Sequence, residues 1–386
     1  MTRLWDKGEP LDERVLSYTA GEDHLLDARL VPYDVRASVA HAEMLHGAGL
    51  LSAEDLVAIR DGLTALAASH AAGEWRIELN DEDVHTALES RMGEAGARLH
   101  LGRSRNDQVL AALRLYLVDE IEALREGALA VAAALDSLGE CEAPLTGYTH
   151  QQPAMPSSVS LWAGGFASEL RDDAEGLAAV RRRLSKNPLG SAAGYGVPLL
   201  PIDREATRRS LGFNEIHEPV TAVQLSRGKA EAHLLFEIVL LMQDLGRLAA
   251  DLILFNMKEL GFVTLAPEMT TGSSIMPQKR NPDVFELVRG RTATAHACLV
   301  EALGVFAKLP SGYHRDLQLL KAPLFRGIDL ARDTLAILAP AIAGVRFNAV
   351  ELAPELKAAE EAYKLVLEEG IPFREAYRRV GERFLR

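Results

Sequence analysis

Apolar residues recur at alternating spacings of three and four over long stretches of this chain. From Asn106 to Gly139 they fall at Val109, Leu113, Leu117, Ile121, Leu124, Ala128, Val131, Leu135 and Leu138. This spacing predicts one amphipathic helix, about 50 Å long at 1.5 Å per residue. A second such segment follows Pro156, with Trp162, Phe166, Leu170, Leu177 and Leu184. A third runs from about Ser226 to Lys258 and is apolar on more than one face, which predicts burial on several sides. A fourth starts at Asn281 and runs towards Leu309; a fifth, shorter one lies between Phe325 and Leu338. The first hundred residues read as short helices with polar breaks. There Ser52 and Asp55 form a capping signal for a helix carrying Leu56, Ile59, Leu63 and Leu66. No run alternates in the manner of strands, and no βαβ pattern occurs. The expectation is an all-α chain: an N-terminal helical domain over 1–105, a long central helical bundle over 106–344, and a short C-terminal helical domain over 345–386. Gly370 with Pro372 should split the last into two helices. Helices of this length exceed what a small monomer can cover, so the bundle is expected to be shared between subunits.

Composition narrows the function classes. With 48% hydrophobic and 25% charged residues among 386, the chain reads as an ordinary soluble globular protein. A net charge of −13 argues against sequence-independent nucleic-acid binding, although a local cationic pocket can still serve a small anion. No apolar run is long enough to span a membrane, and MTRLWDKGEP at the N-terminus lacks an apolar signal region. Cys141 and Cys298, isolated from each other, form neither a metal site nor a disulfide framework, which suggests a reducing cytoplasm.

Three polar clusters interrupt the helical pattern. The first, GRSRNDQ from Gly102 to Gln108, can be capped by Ser104 or Asn106; read alone, it is a helix start with solvated arginines, and Arg103 and Arg105 are also forks suited to carboxylates. The second, GYTHQQPAMP from Gly147 to Pro156, holds His150 on a loop rather than on an apolar face. The third, GSSIMPQKRNPD from Gly272 to Asp283, leads into a helix start, with Asn281 suited to the cap, Pro282 to the first helical position and Asp283 to the first turn. Free N–H groups there, with Lys279 beside them and hydroxyls on Ser273 and Ser274, suit a substrate carrying carboxylates. His85, in the acidic segment before the first cluster, reads as a surface or capping histidine. GSAAGYG, from Gly190 to Gly196, lacks dinucleotide spacing and reads as a loop.

The unbroken string G-S-S-x-M-P-x-K-x-N-P resembles the signature loop of the fumarase/aspartase superfamily, and the three clusters follow that superfamily's order. Within it the chain is similar to the argininosuccinate lyases. The similarity rests on GRSRNDQ, on DVHT (Asp83 to Thr86), on GYTH followed by Gln152, and on PLGS, PIDRE, GIPFREA and the Tyr313, Asp316, Gln318, Lys321 pattern. The resemblance implies a three-domain all-α fold and a homotetramer whose active sites each draw on different subunits. It also implies cofactor-free elimination of argininosuccinate to arginine and fumarate. It assigns Ser273 and His150 to acid–base catalysis and Lys279 to charge stabilisation. Substrate contacts fall on Thr19, Arg105, Asn106, Thr149, Asn281, Tyr313, Gln318 and Lys321. Several positions depart from the family pattern: Leu101, Pro153, Met155, Gly228 where an acid is usual, the GSAAGYG loop, and an end soon after GIPFREA. Alternatives are another lyase of the superfamily, acting on a modified argininosuccinate, adenylosuccinate or aspartate, or a catalytically silent homologue of the lens-crystallin kind.

Overall fold

The computed structural model describes residues 11–384; the N-terminal MTRLWDKGEP segment lies outside them. Helices dominate. Six are named here: α1 (Val31–Gly47), α2 (Arg105–Gly139), α3 (Val159–Leu184), α4 (Lys229–Phe255), α5 (Asp283–Phe306) and α6 (Lys321–Ala343). The expected stripe on α2 is buried from Leu113 through Leu135. Its first turns are enclosed on all sides, since every residue from Leu110 to Leu117 is buried. Among the described residues no helix is long and apolar enough to cross a membrane.

The chain divides into two compact units. One comprises 1–125, 175–239 and 294–330; the other comprises 126–174, 240–293 and 331–386. The division falls within each of the five long helices α2 to α6. In the first unit Tyr116 of α2 meets Phe325 of α6 edge to face at 5.3 Å. Gly327 of α6 leaves room for Leu235, whose Cδ2 lies 2.5 Å from where a Cβ would stand. In the second, Trp162 of α3 packs on Phe255 of α4 and donates its indole N–H to Asp251 at 3.0 Å. Gly127 of α2 lets Leu335 of α6 approach, and Gly246 of α4 lets Thr292 of α5 approach. Small residues thus sit where two helices come close, and the result is a bundle. Two shorter helices, Ala358–Glu369 and Phe373–Phe384, follow; Gly370 ends the first in the left-handed conformation at φ 66°, as its place before Pro372 predicts.

Several expectations needed correction. The fifth helix, the shortest of the five long ones, extends past the expected Phe325 to Leu338 at both ends: it begins at Lys321, with Pro323 in its first turn, where a missing N–H is harmless, and it runs through Pro340 to Ala343. The fourth starts later than the sequence suggests. The first α-helical bond runs from Glu286 N–H to the Pro282 carbonyl, so Pro282 takes the cap position and Asn281 lies outside. Strands are also present, in two-stranded pairs. The longest is an antiparallel hairpin, β1 (Pro144–Thr149) with β2 (Gln152–Ser158). Pro153 and Pro156 disguised it, because proline fits an edge strand that no further strand must pair with. The GSAAGYG segment is a loop, as read, and the Ser52 cap forms: its hydroxyl accepts from Asp55 N–H at 3.0 Å.

Candidate active site

A polar cavity in the first unit gathers side chains from across the sequence. Ser104 caps α2: its carbonyl accepts from Gln108 N–H at 3.1 Å and its hydroxyl from Asn106 N–H at 3.3 Å. This directs Arg105 and Asn106, on the first turn, into the cavity wall. The capped start is fastened from below by Asp107. That carboxylate accepts from Ser104 N–H at 2.9 Å and from Gly190 and Ala192 N–H at 3.0 and 2.8 Å, which ties the GSAAGYG loop to the helix. Burial pushes its carboxyl up to about 6 against those hydrogen bonds. The two arginines are not solvated. Arg103 is buried, donating to Glu89 at 3.1 Å and Ser38 at 2.9 Å, and Arg105 pairs with Glu82 and Asp83. The acidic segment that precedes them supplies the three carboxylates.

His85 is a second correction. It is neither on the surface nor a cap; Asp83 caps that helix, accepting from Thr86 N–H at 2.9 Å. The imidazole is buried in an ion pair with Asp34 of α1 and lines the cavity, with its Nε2 left without a partner. Burial works against its charge, but Asp34, Asp83 and Asp27 outweigh burial and raise its pKa. Asp34 is lowered in turn, with His85 and Arg103 overcoming its burial.

On the opposite wall Lys321 is buried between Asp27, at 2.6 Å, and Asp23, at 3.2 Å. Burial and the neighbouring Asp27 push Asp23 up to about 6, against the pull of Lys321. Gln318 donates its carboxamide N–H to the carbonyls of Thr19 and Ala20 at 3.0 and 3.1 Å, so its orientation is fixed. Thr19 acts there through its backbone; its hydroxyl bonds Val15 within its own helix, at 2.8 Å. Tyr313 completes this side, with the Arg227 guanidinium 5.8 Å from its ring centre. The cavity therefore combines cationic Arg105, Arg227, Arg315 and Lys321 with acidic Asp23 and Asp83. It suits a ligand that carries charges of both signs. Asp23, His85, Arg227 and Arg315 were missed as lining groups. Only the clustering of acids around His85 carried a trace of it in sequence.

The remaining expected residues belong to the second unit. Thr149 ends β1, and His150 with Gln151 forms the exposed two-residue tip of the hairpin. Both tip residues are left-handed, at φ 54° and 58°, where a turn of this kind prefers Asn-Gly. Ser273 and Lys279 lie on a loop whose neck is clipped by pairing of Thr271 with Asn281 and Gly272 with Arg280. Asn281 strengthens the clip by donating its side-chain N–H to the Gly272 carbonyl at 3.3 Å, and Thr271 bonds Asp283. Ser273 Oγ accepts from the backbone N–H groups of Ile275 and Met276 at 3.4 and 3.2 Å. Among the described residues no group of three or more His, Cys, Asp or Glu side chains could hold a metal ion.

Comparison with known proteins gives the family and the fold. A family model described as a lyase matches residues 12–296. An argininosuccinate lyase of Sorangium cellulosum is 47% identical over 98% of this chain and 90% of its own length. One from Thermotoga neapolitana is 39% identical over 99% and 98%. Among solved structures, an EDDS lyase in complex with formate superposes with a TM-score of 0.82 at 24% identity, over 97% of this chain and 76% of that one. A class II fumarase from Schistosoma mansoni superposes at 0.81 with 18% identity, over 97% and 89%. Those structures share the fumarase/aspartase fold, a long helical bundle. The family match over residues 12–296 and the near-full-length identity make this chain a member of the lyase family and, within it, of the argininosuccinate lyases.

Proposed function

We propose that the chain splits argininosuccinate into arginine and fumarate. The observation that carries this reading is the cavity wall of Arg105, Asn106, Tyr313, Gln318 and Lys321, in which cations face Asp23 and Asp83. A guanidino group and several carboxylates can each find a partner there. The reaction removes a proton from the carbon beside one carboxylate and breaks the C–N bond on the neighbouring carbon. The electron pair of the C–H bond becomes the double bond of fumarate, and the guanidino nitrogen leaves with a proton as arginine. The intermediate carries extra charge on a carboxylate, so cationic groups and N–H donors must meet it. Lys279 and the backbone of the clipped loop are the groups proposed for this. Two N–H groups directed at Ser273 Oγ favour its anionic form, which supports Ser273 as the base. His150, whose imidazole can both give and take a proton, then serves the leaving nitrogen.

The proposed enzyme is a cytoplasmic homotetramer of three-domain chains, divided at 1–105, 106–344 and 345–386, with Thr149, His150, Ser273, Lys279 and Asn281 joining the cavity residues across subunits. Apolar side chains left exposed along the long helices support the assembly: Phe236, Leu240 and Leu254 on α4, and Leu287, Val300 and Leu303 on α5. Ultraviolet detection of fumarate released from argininosuccinate tests the activity. Ser273→Ala and His150→Asn should each lower kcat by about 10²-fold or more while substrate still binds. Wild-type turnover in either variant would remove that residue from the mechanism.

A further inference from the structure

The first unit holds a second polar pocket, which shares no lining residue with the cavity described above. It has a volume of about 300 Å3 and is lined by Arg183, Lys186, His217, Leu225, Ser226 and Lys229, with two alanines. No acidic residue lines it. Arg183 stands in the last turn of α3 and Lys229 in the first turn of α4; among the described residues neither has a carboxylate partner. Lys186 has one, Glu215, at 2.9 Å, and that glutamate is exposed. Three cations thus converge on one concavity in a chain whose net charge is −13. Like charges held together in this way repel one another and gain from a shared counter-ion.

The floor supplies a further donor. Arg114 of α2 is fully buried beneath the pocket and donates to the Lys186 carbonyl, to His217 Nδ1 at 3.0 Å and to Ser226 Oγ at 2.8 Å. A guanidinium can only donate, so His217 Nδ1 must accept. The ring is therefore neutral and carries its hydrogen on Nε2, which has no partner among the described residues. Burial, with Arg114, Lys186, Arg204 and Lys229 around it, pushes His217 down to about 3, so the ring remains a neutral donor at any physiological pH. The Ser226 hydrogen is already committed to the Val223 carbonyl at 2.7 Å.

We infer that this pocket is a binding site for a small dianion, an inorganic phosphate or a short dicarboxylate, held by Arg183, Lys186 and Lys229 with the His217 Nε2–H as neutral donor. Binding would be read on the full-length protein as isolated, by calorimetric titration at fixed ionic strength, first with inorganic phosphate and then with fumarate. The comparison protein is Arg183→Gln/Lys229→Gln; both side chains are exposed, and circular dichroism would verify its fold. Saturable phosphate binding at millimolar concentration that weakens at least tenfold in the double variant supports a phosphate-type ligand. Fumarate also fits the catalytic cavity, so a dicarboxylate ligand appears as two sites per chain falling to one in the double variant. The charge-preserving Arg183→Lys/Lys229→Arg protein should keep the affinity in either case. The inference is overturned if neither anion gives a variant-sensitive site, if chloride at matched ionic strength gives the same response, or if the double variant instead dissociates the oligomer. The last outcome would mean that a carboxylate of another subunit fills the pocket.

Discussion

Asp23 decides what happens on the acid side of the pH profile. Burial and Asp27 raise its carboxyl to about 6, while Lys321 restrains the rise. Below that pH the side chain is neutral and cannot partner a guanidinium; above it the charge is present. We expect kcat/KM for argininosuccinate to fall as pH drops through about 6 and to be level just above it. Asp23→Asn should lower the plateau and abolish that limb, and a limb unchanged in the variant would refute the assignment. The linkage to stability has the opposite sense. A carboxyl whose folded pKa is raised from 3.8 stabilises the fold fully below about 4, and that contribution is lost as pH rises through about 6. The site accepts ionisation of Asp23 at a cost in stability. Single residues were the least legible part of the sequence. Arg105, Asn106, Tyr313, Gln318 and Lys321 were named through the family resemblance, whereas His85 looked like a surface group. Its role depends on Asp34, some fifty residues earlier, and no local pattern reports a partner that distant.

At the scale of elements, the turn into α4 is a tightly constrained junction of the first unit. Gly228 there has φ 78°, and a Cβ on it would stand 2.4 Å from the Phe306 ring. The acid that the family resemblance leads one to expect here would overlap Phe306, as any side chain at this position would. The neighbouring Arg227 lines the cavity, so the junction also places a functional group. Gly228→Ala should destabilise the protein by about 1–3 kcal/mol, through the left-handed backbone and the overlap together. Adding Phe306→Ala should recover only the overlap share. Thermal melts of the single and double variants check this, and equal melting of wild type and Gly228→Ala would show that the ring yields freely. The long helices were read almost in full, since a spacing of three and four repeated over many turns has no other use. The hairpin of β1 and β2 was not, because its prolines and short strands carry no alternation. The start of α5 was displaced by one residue, because Asn281 was taken for a cap and instead fastens the loop neck.

At the scale of the whole molecule, the proposed function asks residues of both units to act on one substrate. If different chains supply His150 and Ser273, then His150→Asn and Ser273→Ala subunits, each inactive alone, should regain a minority of wild-type activity when refolded together, with KM unchanged. Mixed tetramers that stay inactive would show that each site is built within one chain. The loop carrying Ser273 bears on this assembly. Its neck is closed by two residue pairs, so the stretch from 273 to 279 is a small ring hung on the start of α5. A ring with a closed neck has already surrendered most of its freedom to spread. Gripping an anion at its tip then requires only the tip to settle, and the entropy left to remove at each turnover is correspondingly small. The same closure insulates α5 from changes at the tip. Substitutions at Ile275 and Gln278, the variable positions of the signature string within the ring, can therefore reshape its tip while the helix behind it keeps its register.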